Sequence, residues 1–131
     1  MKKILILVSL IILFFSSTPH ADNDGVTDWR MQAVDSYEEA DKELNRVYNL
    51  AIQKIKNEGS ASVLFSEKMR KEWIEKQRES QRAWIKFRDL DSEIIEYTWL
   101  GGSGMGAAQL GWKQMLTEKR IDELKKQYNL K

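Results

Sequence analysis

The chain has 131 residues, with 21 Lys+Arg against 20 Asp+Glu, one histidine, one proline and no cysteine. Balanced charge argues against general nucleic-acid binding, which needs a basic excess. The absence of cysteine excludes disulfides, thiol nucleophiles and Cys/His zinc sites.

Residues 1–21 read as a secretory signal. Lys2 and Lys3 give a positive start, residues 4–15 an apolar run interrupted only by Ser9, and residues 16–21 a small, polar end. The apolar run is too short to span a bilayer core, which takes roughly 20 residues. Cleavage is expected after Ala21, leaving a mature domain of residues 22–131. Lys2 and Lys3 leave with the signal, so the net charge moves from +1 to −1. Pro19 and His20 leave as well, which removes histidine acid–base chemistry from the mature chain. No cysteine follows the apolar run, so no lipid anchor is expected and none to the membrane remains after cleavage.

The mature sequence favours helix through its wealth of Glu, Lys, Arg, Gln, Leu and Ala and its lack of proline. From Trp29 the apolar positions Ala33, Tyr37, Ala40, Leu44, Val47, Tyr48, Ala51, Ile52 and Ile55 fall in steps of three and four on one helical face. Thr27 or Asp28 suits the start of this first helix and Gly59 its stop. It is then about 30 residues, or ~45 Å, long.

Ser62 or Ser66 opens a second helix. Met69, Trp73, Trp84, Phe87, Ile94 and Thr98 form its apolar stripe, with Ile74, Ile85 and Ile95 alongside. It ends at Leu100-Gly101-Gly102, and the glycines of 101–106 argue against regular helix there. A third helix starts near Ala107 and uses Trp112, Leu116, Ile121, Leu124 and Tyr128, with Lys125 and Lys126 near its carboxyl end, where the helix dipole favours cations. Three long amphipathic helices imply an all-α antiparallel bundle, with room for a short extra helix in the 100–111 region. Gln77, Ser80 and Asp91 interrupt the second helix's stripe and need hydrogen-bond partners if buried. Asn45 and Tyr48 of the first helix, or Thr117 and Arg120 of the third, are the candidates. A network that fixes helix register is favoured over a binding site.

Three blocks carry a resemblance. They contain Asp41, Leu44, Asn45 and Tyr48; then Gln81, Arg82, Trp84, Arg88 and Asp89; then Thr117, Arg120 and Leu124. In this order, with Gly101-Gly102-Ser103 between the second and third, the chain resembles the LprI-type lysozyme inhibitor domain. The resemblance implies a secreted, periplasmic helical domain and a protein partner, lysozyme. Members of that family usually carry two cysteines at places here held by Ser92 and Trp112. The lost bridge between the second and third helices is typically worth about 2–5 kcal/mol, part of which a buried Trp112 can supply.

Trp99, Gly101, Gly102, Ser103, Gly104 and Met105 form the expected partner-binding loop, because glycines permit close approach and a protruding loop suits an enzyme cleft lined by two carboxylates. The competing reading is a turn between helices, with Trp99 and Met105 capping the core. Glu38, Glu39, Asp41 and Glu43 lack the histidine partners of a helical metal site, and Glu93/Glu96 lack a cleft, so no metal, cofactor or catalytic residue is expected. Trp73, Trp84 and Trp112 fit core positions, which leaves Trp29 and Trp99 as candidate exposed stacking surfaces. The expected function is non-enzymatic: occlusion of a lysozyme or muramidase cleft. The alternative is an envelope protein that binds a partner through its helical faces.

Overall fold

The computed structural model describes residues 24–58, 66–99 and 101–131. The signal at 1–21, the stop at Gly59, the alternative start at Ser62 and the end at Leu100 lie outside these residues. Among the described residues the chain forms α1 (Asp24–Glu58), α2 (Glu67–Glu93), a one-turn α3 (Ile95–Trp99) and α4 (Met105–Tyr128). Consecutive long helices run antiparallel, so α1 and α4 run the same way, and these two pack directly on each other with α2 laid against both.

α1 begins at Asp24, upstream of Thr27 and Asp28. Both lie inside its first turns, where an acidic side chain favours the positive end of the helix rather than capping it. α2 begins where Ser66 caps it: the Ser66 hydroxyl accepts from the Met69 amide at 3.2 Å, and Glu67 occupies the first turn. α4 ends on Asn129 in the left-handed region, φ 48°, with the Leu130 amide donating to the Lys125 carbonyl at 2.8 Å. That wrap brings Leu130 onto the core.

The second helix does not run unbroken to residue 100. At Ile94 the hydrogen bonding tightens: Ile94 donates to the Asp91 carbonyl and Tyr97 to the Ile94 carbonyl, three residues back instead of four. The short extra helix is therefore Ile95–Trp99, before the glycines rather than within 100–111. α4 starts at Met105 rather than Ala107 and takes in Gly106, since a first turn needs no partner for its own amides and tolerates glycine there.

The core is an α1–α4 seam. Leu44, Val47, Ala51, Ile52 and Ile55 pack on Ile121, Leu124 and Tyr128, with Tyr48, Trp73, Ile74 and Trp84 against them. α2 contributes differently. Its buried residues are Gln77, Gln81, Arg88 and Ser92, while Met69, Ile85, Phe87 and Ile94 of the expected stripe are exposed. Its apolar residues occupy two arcs, and the arc that packs is the one carrying Trp73, Ile74 and Trp84.

Candidate functional site

Arg88 organises the interior beside α2. It is 5% exposed, and its guanidinium donates to Asp41 at 2.7 Å, to Asp89 at 3.0 Å and to the Thr117 hydroxyl at 3.5 Å. The same group lies 5.5 Å from the Tyr37 ring centroid and 5.4 Å from that of Trp84. Burial works against its charge, but the hydrogen bonds it donates to Asp41 and Asp89 outweigh burial and hold its pKa above the ordinary arginine value. Burial likewise raises the Tyr37 hydroxyl's pKa, with the Arg88 charge opposing. Lys113 completes the cluster, 3.3 Å from Asp89 and over the Tyr37 ring. Three helices meet through these groups, so the cluster fixes their register.

Further along α2 the polar residues also pair with α4. Arg120 donates to Gln81 at 3.3 Å and to Ser80 at 3.5 Å, and its guanidinium lies 5.9 Å from the Trp84 ring. The Tyr128 hydroxyl donates to Gln77 at 2.6 Å, and the Trp112 indole donates to Asp91 at 2.7 Å. The fourth helix therefore supplies the partners of Gln77, Ser80 and Asp91. Asn45 instead bonds Asp41 within α1, at 3.3 Å, and Tyr48 packs against the core.

At the end of the bundle the loop between α3 and α4 stands open. Gly101, Gly102 and Ser103 are exposed, Trp99 is 51% exposed, and Gly104 and Met105 are half-buried. The loop is a structured turn: Gly102 donates to the Trp99 carbonyl and Met105 to the Gly102 carbonyl, both at 3.0 Å. Gly101 has φ 79°, a conformation that favours glycine. Gly104 lies so close to the Trp99 ring that a Cβ would sit 2.9 Å from it, with Trp29 just beyond. Arg30 of α1 donates to the Ser103 carbonyl at 2.6 Å and ties the loop to the first helix. The loop is thus held in place and accessible together.

Among the described residues no cluster of acidic side chains is arranged to hold a metal ion, and no helix is long and apolar enough to cross a membrane. Comparison with family models is decisive for the ancestry, because that of the lysozyme inhibitor LprI family matches residues 18–124.

The chain belongs to the LprI family.

No curated protein and no solved structure matches it. Among the LprI blocks, Asp41, Trp84, Arg88, Asp89 and Thr117 meet in the Arg88 cluster, Gln81 and Arg120 pair beside it, and Leu44 and Leu124 are core. Arg82 is separate: it is exposed and only 3.8 Å from Glu75 at closest approach, so it neither joins the network nor lies near the loop. Of the two positions where the resemblance implied cysteines, Ser92 is fully buried with its hydroxyl donating to the Asp89 carbonyl at 2.7 Å, and Trp112 is held by Asp91. The Trp112–Asp91 hydrogen bond thus links the end of α2 to the start of α4 without a covalent bridge. Sequence reasoning missed Tyr37, Lys113, Asp91's bond to Trp112 and the Tyr128–Gln77 bond. The only signal for them was that buried polar groups on α2 needed partners.

Proposed function

We propose that this LprI protein is a secreted, periplasmic inhibitor that occludes the cleft of a lysozyme or related muramidase, with Trp99, Gly101, Gly102, Ser103, Gly104 and Met105 as its contact surface. Family membership supports a lysozyme as the partner. The observation that carries the contact surface is the combination of exposure and anchoring at one end of the bundle. Gly101–Ser103 stand free of side-chain cover while Arg30 holds the loop in place. A pre-ordered loop loses less conformational entropy on binding than a flexible one. The Ser103 hydroxyl can donate to a cleft carboxylate, and half-exposed Trp99 supplies apolar area beside it. The Arg88 cluster contributes by keeping the helices that bear the loop in register.

Lysis of peptidoglycan by a chicken-type lysozyme, with and without the chain from residue 22 onward, tests the reading. Inhibition is expected, and Ser103→Glu, which brings a like charge to the carboxylates, is expected to weaken it at least about tenfold. Unchanged lysis at large molar excess refutes inhibition of that class of enzyme. A second reading, an envelope protein that binds through a helical face, draws on the exposed apolar residues of α2. Under it, Ser103→Glu leaves partner binding intact.

A further inference from the structure

The outward arc of α2 and α3 is the largest feature that the bundle itself does not use. Phe87, Leu90, Ile94 and Tyr97 are 53%, 53%, 55% and 79% exposed. They follow one another in steps of three, four and three, the spacing of a helix–helix seam. With Ala83 they cover ~21 Å of helix, about 140° round from the face that carries Gln81 and Arg88 into the interior. Ile94 keeps right-handed helical backbone angles, φ −61° and ψ −27°, so the seam continues from α2 into α3.

The charges beside this seam point to its occupant. Lys86 and Glu93 lie on the same flank, one turn to either side of Leu90, and neither has an ion-pair partner among the described residues. Glu79 and Arg82, further back, are engaged within α2 by Lys76 and Glu75. We propose that α2 and α3 form a self-association surface, in which two copies of this chain pair antiparallel about a two-fold axis at Leu90. Leu90 then meets Leu90 of the second copy, Phe87 meets Ile94, and the large Tyr97 lies over the small Ala83. On the flank, Lys86 of each copy faces Glu93 of the other, twice by symmetry. A parallel two-fold instead puts the Lys86 and Glu93 flanks of the two copies on opposite sides of the seam, where neither residue meets the other, so only the antiparallel register pairs these charges. A foreign partner has no need of this internal symmetry. The inference does not depend on lysozyme inhibition, and it leaves the loop of residues 101–104 outside the seam.

Sedimentation equilibrium of the chain from residue 22 onward, which contains all four helices, is expected to show a monomer–dimer equilibrium. The seam is narrower than a standard interface, so the dissociation constant should be on the order of 10 µM. Leu90→Lys places two like charges on the axis and is expected to leave only monomer at about 500 µM. Lys86→Glu and Glu93→Lys should each weaken pairing about tenfold, and the double variant K86E/E93K should return it to within about threefold of the starting value. All three positions of substitution are on the surface, and far-ultraviolet circular dichroism verifies that helix content is unchanged. A chain that stays monomeric at about 500 µM overturns the proposal. So does a double variant as weak as its parents, which would remove the antiparallel register. If Leu90→Lys instead abolishes lysozyme binding by a chain that is monomeric throughout, the seam belongs to the enzyme and self-association is refuted.

Discussion

Arg88 shows why one side chain can matter more than a helix face. Its guanidinium has two carboxylates, a hydroxyl and two aromatic rings as neighbours, so substitution removes ion pairing and stacking together. Asp41 and Asp89 keep partial access to water, which limits the cost of leaving them unpaired. Arg88→Met is expected to lower stability by about 2–3 kcal/mol in urea unfolding. Arg88→Lys should recover under half of that, because an ammonium cannot form the planar fork or stack between Tyr37 and Trp84. An Arg88→Lys protein as stable as the parent would mean that charge alone matters at this position. Gly101 makes the opposite kind of demand, on the backbone only. A Cβ there meets nothing within 4 Å, yet φ is 79°, so Gly101→Ala should cost about 1 kcal/mol by conformation alone, without disturbing Trp99.

Whole helices depend on how their ends and flanks are joined. The Asp91–Trp112 bond ties the end of α2 to the start of α4 without a covalent link. Trp112→Phe keeps most of the packing and removes the donor, so a loss of about 1–2 kcal/mol in unfolding free energy is expected. Glu43 joins α1 to α4 through Lys125 at 3.2 Å, and the Arg46 hydrogen bond, followed by that from Lys125, lowers its pKa from 4.5 to about 2. A carboxylate depressed in the folded state stabilises above its ordinary pKa, and that contribution fades as pH falls from 4.5 toward 2. Because the pair is open to water, Glu43→Gln should remove less than about 1 kcal/mol of acid sensitivity from that window, measured as the difference between unfolding curves at its two ends. The first helix was legible in the sequence because it carries a single apolar stripe, and Ser66 marked the start of α2 by its side-chain chemistry. The packing of α2 was not. Its two apolar arcs satisfy the same period, and only the positions of Tyr128, Arg120 and Asp41 on other helices decide that Gln77, Gln81 and Arg88 turn inward. The break at Ile94 leaves no mark either, since no glycine or proline accompanies it. The loop's position was legible from its glycines, but its anchor to Arg30 joins residues 73 apart in sequence and has no local signal.

Across the whole molecule the free energy of folding is unevenly shared. The apolar seam runs between α1 and α4, whereas α2 brings mainly amides, a guanidinium and a hydroxyl to the interior. Hydrogen bonds replace bonds to water and contribute modestly, while apolar burial is the dominant favourable contribution. Partial opening that releases the first half of α2 therefore costs less than one that parts α1 from α4. Native-state hydrogen exchange should show amides of residues 70–80 exchanging through openings at least about 1 kcal/mol below the global free energy, with those of 44–55 and 117–124 exchanging only on global unfolding. Arg88 divides α2 in this respect, since its cluster holds the second half to both neighbours. Pairing through Leu90 adds a concentration dependence to that second half, because a dimer stabilises by mass action only what it covers. Protection of residues 86–97 should thus rise with protein concentration while that of 70–80 does not. Uniform protection along α2 at every concentration would show a single cooperative unit, and with it an interior whose polar bonds hold as firmly as its apolar seam.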